Sequence, residues 1–228
     1  MMSERSLQRL RDLIQRIVEA ETDDFFELAK IAGLNPSKDF STANLSGLDL
    51  RSAQLERANF IATNLSQANL ANANLAEASL INANLAGATL INANLNGANL
   101  VSADMMNANL VRAQLLSANL TGANLTKANL NHVDLRRAVL IGCKLDYATL
   151  HLASLNHVDL RRSSLTSADF TGANLYGTNL SNADLRWANL IDVNLAGATF
   201  EKTFLGGNQG LTKDVVADLK RRGAIFES

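Results

Sequence analysis

Ala83-Asn84-Leu85-Ala86-Gly87 is followed without a gap by Ala88-Thr89-Leu90-Ile91-Asn92 and Ala93-Asn94-Leu95-Asn96-Gly97. A small residue, a short polar residue, a Leu and two variable positions recur every five residues. Extended both ways, the register holds from Phe40 to Leu205. Of its 34 large apolar positions, 29 are Leu, the others being Phe40, Phe60, Phe170, Phe200 and Met105. Two residues before each, from Ala43 to Thr203, the small position is Ala in 24 of 33 cases. The exceptions are Leu48, Thr63, Val133, Cys143, Val158, Ser163, Thr178, Val193 and Thr203.

A period of five excludes the two regular structures. On an α-helix each five-residue step turns the side chain by about 140°, so the leucines would spiral around the axis. In an unbroken strand an odd step sends successive leucines to opposite faces. What fits is a short extended piece in which the small residue and the Leu share one side, followed by a two-residue corner that restores the facing. Until the register ends at Leu205, glycine occurs at the second position after the Leu (Gly47, Gly87, Gly97, Gly122, Gly142, Gly172, Gly177, Gly197) and not at the first. Asn72, Asn82, Asn92, Asn107 and Asn182 share that second position, which is therefore expected to hold positive φ. The residue before the Leu is mostly Asn or Asp, whose side chains hydrogen-bond nearby backbone at a bend. Repeated corners wind the chain into a coil.

The segments Ala83-Asn84-Leu85-Ala86-Gly87, Ala123-Asn124-Leu125-Thr126-Lys127 and Ala173-Asn174-Leu175-Tyr176-Gly177 resemble the A-(D/N)-L-x-x unit of the pentapeptide-repeat family. The resemblance spans residues 40–205. It implies an all-β solenoid, a right-handed quadrilateral parallel β-helix with four pentapeptides per coil. Within the sequence itself, only the match of Phe40 with Phe60 and the outward ladder Ile61, Ile81, Val101 and Ile141 hint at that number. Four per coil gives about 8 coils and a rod roughly 40 Å long at ~4.8 Å per strand.

Helical segments are expected at both ends. In 1–39, Leu7, Leu10, Leu13, Ile14, Ile17 and Val18 fall at helical spacing, and Thr22 or Asp23 to Gly33 frames a second short helix before Pro36. In 206–228, Thr212 opens a helix carrying Val215, Val216 and Leu219 and ending at Gly223. The natural reading is that these close the coil, whose terminal turns would otherwise expose leucines and unpaired strand edges. Helix one could equally dock a partner.

The inward positions leave no cavity for a substrate and no polar constellation for catalysis, so no enzyme, cofactor or metal site is expected. The single cysteine, Cys143, occupies a small inward position and excludes an internal disulfide. No run approaches a membrane-spanning length, and no apolar leader precedes the helix, so a cytoplasmic location is expected. The formal net charge is -1, with 11 basic against 11 acidic residues in 40–205.

Function then falls to the outward positions. Asn131-His132-Val133-Asp134-Leu135-Arg136-Arg137 is repeated as Asn156-His157-Val158-Asp159-Leu160-Arg161-Arg162. Residues 112–162 hold seven basic against three acidic residues. Arg112, His132, Arg136, Arg137, His157, Arg161 and Arg162 are the candidate partner-binding surface. A solvated face is the plain reading; an acidic protein partner is the sharper one. Nucleic acid is disfavoured because the band is short and lacks interleaved aromatics. The Ile61 ladder, echoed by Ile91, Val111 and Ile191, reads as β-propensity or as an interface stripe. His132 and His151 would be neighbours on a 20-residue coil, though three histidines make a poor metal set.

The expected function is a non-enzymatic protein–protein interaction or regulatory scaffold, as the resemblance implies for members that regulate heterocyst differentiation. The alternative is a DNA-mimicking binder of a topoisomerase (gyrase), another activity within that family. Its strongly acidic surface is missing from the 11 to 11 balance. Monomer and end-to-end dimer both stay open.

Overall fold

The computed structural model describes residues 40–227 together with residues 12, 15, 29–31, 33 and 35. Of the two helices expected within 1–39, the described residues include 12 and 15 of the first and 29–31 of the second, all helical, and the rest fall outside. From residue 40 onward the chain returns to itself every 20 residues. Each backbone bridge is parallel and joins residue i to i+20, from Asn44↔Asn64 to Asn189↔Gln209. Four pentapeptides thus make one turn, each contributing one flat side and one corner.

The corner explains the pentapeptide. The N–H of nearly every small residue donates to the carbonyl of the large apolar residue three positions earlier, as from Ala123 to Leu120 at 2.9 Å and Ala183 to Leu180 at 2.9 Å. This closes a four-residue turn whose third residue has positive φ, the type II geometry. That residue is the second after the Leu, and it is left-handed at every corner from Thr42 (φ 60°) to Lys202 (φ 54°). Glycine occupies eight of these corners; the others hold bulkier residues at a cost of about 1 kcal/mol each. What holds them there is the ladder, since the left-handed N–H donates to the next turn, as from Asn72 to Ile91 at 2.8 Å.

The same accounting explains Asn and Asp before the Leu. Of the five N–H groups in a pentapeptide, three bond adjacent turns and one closes the corner. The fifth, on the first corner residue, is left over. It donates to the Asn or Asp side chain two residues back, as from Ile61 to Asn59 Oδ1 at 3.1 Å and Ser181 to Asn179 Oδ1 at 3.0 Å. Where Gln114, Thr149 and Ser164 stand instead, the donors of Leu116, His151 and Thr166 reach Asn96, Asn131 and Asp146 on the preceding turn, at 2.9, 3.0 and 3.1 Å. An unpaired donor beside a dry core is costly, which accounts for the prevalence of Asn and Asp at this position.

Inside, Leu and Ala columns are almost fully excluded from solvent from Leu55 to Ala188. The polar exceptions at the small positions share one solution. The side chains of Thr63, Ser163, Thr178 and Thr203 each donate to the carbonyl 23 residues back, at 2.5, 2.6, 2.6 and 2.7 Å. The thiol of Cys143 does the same to Leu120 at 2.8 Å. Burial pushes that thiol up to about 12, against which nearby backbone N–H groups act weakly. The thiolate is the reactive form. Native protein at pH 7.5 is therefore expected to react with Ellman's reagent at least ~1000-fold more slowly than the chain unfolded in guanidinium. Prompt native reaction would place Cys143 outside the core.

The backbone ladder outlasts the leucine register. Beyond Leu205, Gln209 still bridges Asn189. Strand β1 (Phe204–Leu205) also pairs in parallel with β2 (Ile225–Phe226). Between them lies α1 (Lys213–Arg221), whose first turn donates from the Val215 N–H to the Thr212 hydroxyl at 3.3 Å. Leu219 is its buried residue. The Asn208 side chain donates to the carbonyls of Leu185 and Ala188 at 2.6 and 3.1 Å. Arg222 likewise donates to those of Leu195 and Ala198, with its guanidinium 4.9 Å from the Phe200 ring centroid. Two side chains thus stand in for strand partners at this end. Among the described residues no helix is long and apolar enough to cross a membrane.

Candidate functional site

Since every turn takes 20 residues, outward side chains fall into columns along the rod. Each corner column holds the two residues after a Leu, repeated once per turn. The seven sequence-predicted site residues occupy three successive corners rather than one patch. Arg112 lies one rung below His132, its N–H donating to the Asn131 carbonyl at 3.0 Å. On the next corner Arg136 and Arg137 lie one rung below Asn156 and His157, with the Arg137 N–H donating to the Asn156 carbonyl at 3.0 Å. On the third, Arg161 and Arg162 lie between Ile141-Gly142 and Ser181-Asn182.

The duplication thereby acquires a geometry. Its copies are offset by one full turn plus one side. The two residues that open the second copy, Asn156 and His157, therefore stack directly on the two that close the first, Arg136 and Arg137. That corner alone is built from both copies. Arg112, His132, Arg137, His157 and Arg162 all sit at left-handed positions, φ 58°, 59°, 59°, 58° and 61°.

The charges are not equally free. Arg136 closes a two-point pair onto Asp134, Nε to Oδ1 at 2.8 Å and Nη2 to Oδ2 at 2.6 Å. Arg161 repeats this on Asp159 at 2.8 and 2.6 Å. So does Arg186 on Asp184 at 2.9 and 2.6 Å, with a further bond to Glu227 at 2.7 Å. The Asp-Leu-Arg triplet is a self-neutralising unit, because the corner turns the Arg side chain back over the Asp. Counting Arg136 and Arg161 as open cations overstates the positive band. Among the described residues, Arg112, Arg137 and Arg162 make no ion pair, and they carry the exposed charge.

Hydrogen bonds from their arginines hold the Asp134, Asp159 and Asp184 carboxyls below the usual carboxylate range, against the opposing pull of burial. A folded value below the unfolded one gives stability that is complete above the unfolded value, near 3.9, and is lost as pH falls through the folded one. Urea midpoints are therefore expected to carry the full contribution of these groups, unchanged with pH, between about pH 5 and 8 and to fall below about pH 4. The fall should be shallower in an Asp134→Asn, Asp159→Asn, Asp184→Asn variant. Equal acid slopes would show that the pairs add nothing to the fold.

A shallow groove opens at the composite corner, lined by Leu116, Arg136, Arg137, Asn156 and His157. His157 meets the Tyr176 ring edge-on, centroids 5.4 Å apart, on the rung above. A side chain at Gly177 would collide with the imidazole, its Cβ falling 2.6 Å from Nδ1. Sequence reasoning missed Leu116 and Tyr176, although both lie 20 residues from members of the band. A second groove gathers Arg162, Ser163, Ser164, Asn182, Asp184, Arg186, Phe204 and Glu227.

Other outward features are less distinctive. Ile81, Val101 and Ile141 are half-buried along their corner, while Ile61 and Ile191 are more open at 36% and 38% exposure. Trp187, 66% exposed, and Tyr147, 59% exposed, share a fourth corner two rungs apart. His151 does not turn toward His132; its Nε2 lies 2.8 Å from Asp169 Oδ2. No cluster of three or more His, Cys, Asp or Glu side chains suited to a metal occurs among the described residues.

Comparison with known proteins places this geometry in context. The sequence profile of pentapeptide repeats matches residues 38–60, 53–90 and 83–115, and that of a pentapeptide repeat region matches 117–190. Curated protein sequences give no match. Among solved structures, HetL of the cyanobacterium Nostoc sp. strain PCC 7120 is a pentapeptide repeat protein involved in heterocyst differentiation regulation. It is 31% identical over 80% of this chain and 77% of its own, with a TM-score of 0.55. Trypsin-treated QnrB1, a plasmid-mediated fluoroquinolone resistance protein, is 17% identical over 82% of this chain and 92% of its own, with a TM-score of 0.53. These likenesses identify the coil as a right-handed β-helix type of solenoid.

Proposed function

The chain belongs to the pentapeptide-repeat family, and on that premise we propose that it is a non-enzymatic protein-interaction module. It is a rigid rod of about eight turns, capped at its C-terminal end by a short helix, whose corners are read by another protein in the cytoplasm. The observation that carries this reading is the divided charge of the surface. The repeat region is balanced overall, yet residues 112–162 hold seven basic and three acidic side chains. A filled interior leaves recognition to the outside. The likeness to HetL, a regulatory member, supports the same class of role. The partner surface is Arg112, His132, Arg136, Arg137, His157, Arg161 and Arg162, and the partner's matching surface is acidic. The DNA-mimicking alternative draws only a shared fold from QnrB1.

Affinity capture from the native cytoplasm tests the reading, comparing the wild-type chain with an Arg136/Arg137/Arg161/Arg162 to Glu variant. Loss of one specific protein from the variant is expected. An unchanged partner list would overturn the assigned surface. Dose-dependent inhibition of gyrase supercoiling at low micromolar protein would replace this reading with the DNA-mimic one.

A further inference from the structure

The two copies of the heptad are identical in sequence but not in surroundings, and the difference singles out one corner. Around Arg162 the groove already contains Asp184 and Glu227. Around Arg137 the groove residues Leu116, Arg136, Arg137, Asn156 and His157 include no carboxylate. Asp134, the nearest acid in sequence, is engaged by Arg136. Arg136 is thus neutralised and fixed in place, while Arg137 stays open beside it. An acidic group arriving here meets one free guanidinium and no repelling charge. At Arg162 it would meet two carboxylates that share one arginine, Arg186, so that groove is balanced while the first keeps one uncompensated cation.

The ends of this corner are apolar. Leu116 lies one rung below Arg136 and is 37% exposed; Tyr176 lies one rung above Asn156 and is 47% exposed. Three rungs separate Leu116 from Tyr176, about 14 Å at the usual strand spacing. That is the length of about four residues of extended chain. The bare corner at Gly177 lets the imidazole of His157 lie against the next turn, braced by Tyr176.

Resting on the interaction reading above, we infer that the contact segment of the partner is a short, extended acidic peptide with one aliphatic or aromatic anchor, seated along the Leu116–Tyr176 corner. Its carboxylates face Arg137, and its apolar side chain packs on Leu116 or Tyr176. The second copy at Arg161 and Arg162 contributes Asn156 and His157 to this seat but not its own arginines.

The test uses the full chain and fluorescein-labelled peptides read by fluorescence polarisation. The probe is Glu-Asp-Glu-Leu-Glu-Asp, with an Ala-for-Leu version and a Lys-for-acid version as comparisons. Expected are binding of the first, weaker binding of the second and none of the third. Arg137→Glu should weaken the first by about tenfold or more, and Arg162→Glu by less than about twofold. Leu116→Ala with Tyr176→Ala should erase the preference for Leu over Ala while the acidic dependence persists. Unchanged melting curves establish that these surface variants remain folded. Equal losses in Arg137→Glu and Arg162→Glu would overturn the inference in favour of a diffuse positive band, with the interaction reading left standing. Absence of binding by either acidic peptide at millimolar concentration would also overturn it, whatever the capture experiment returns. An unchanged capture list for the quadruple Glu variant is the separate outcome that removes the assigned partner surface on which this inference rests.

Discussion

Leu125→Arg is expected to break the rod in its middle. Leu125 is fully buried, with Ala123 beside it on the same flat side, and its N–H bonds the Lys144 carbonyl at 2.6 Å. Removing a buried Leu side chain costs about 2–5 kcal/mol. Placing a guanidinium there without a carboxylate adds several more, because an unpaired charge in a dry core is not compensated. The sum approaches the whole stability of a typical domain, about 5–15 kcal/mol. In a quasi-one-dimensional array the damage also severs the cooperative link between the turns on either side. Circular dichroism melts and size-exclusion profiles should show a two-step or lost transition. Thr126→Arg, one residue along and outward, is the control and should shift stability by no more than about 0.5 kcal/mol. If the Leu125 variant melted like the parent, the leucines could not line the interior.

The second large effect is expected at Gly210→Val. Gly210 has φ +83°, and a Cβ there would fall 2.5 Å from the Ile191 nitrogen and 2.6 Å from its Cα. The obstacle is main chain of the preceding turn, which cannot swing aside as a side chain would. Left-handed strain in a β-branched residue adds about 1–3 kcal/mol before any clash is counted. Hydrogen exchange should report the loss locally. The Leu190 amide, bonded to the Gln209 carbonyl at 3.0 Å, and the Trp187 amide, bonded to Gly206 at 2.7 Å, should lose protection. The Leu125 amide should keep its own. Preserved protection at Leu190 would mean that the 206–210 segment can shift without leaving the ladder.

These predictions draw on features that the sequence made unequally visible. The inner wall was legible because a strict period of five leaves no other way to face one core. The left-handed corner was legible from where glycine falls, and the structure extends it to residues that no propensity scale would nominate, including Tyr147, Leu152 and Trp187. The length of a turn was not legible from the pattern itself. It depends on how far each type II corner rotates the chain, which the backbone decides and which side-chain identity records only faintly, as at Phe40 and Phe60, stacked with centroids 5.9 Å apart. Which charges of the band are paired was not legible for a related reason. Asp134 and Arg136 are two apart, a spacing that shares one face in an extended strand. The count treated them as separate charges, whereas the corner folds one onto the other. The continuation past Leu205 escaped because ladder bonds need only main chain, and Gln209 supplies it without a leucine to announce it.

The turn of four equal sides has a consequence for how such a gene can change. Gain or loss of twenty codons slides the downstream surface along the axis with every column intact. Gain or loss of five codons keeps each leucine inward but rotates everything downstream by a quarter turn, so that old columns are cut and new ones are spliced from unrelated residues. The heptad copies, offset by the sum of those two steps, have the register that such slippage would leave. A lineage can therefore redraw the outer face of this protein wholesale while its interior, and so its ability to fold, passes through unaltered.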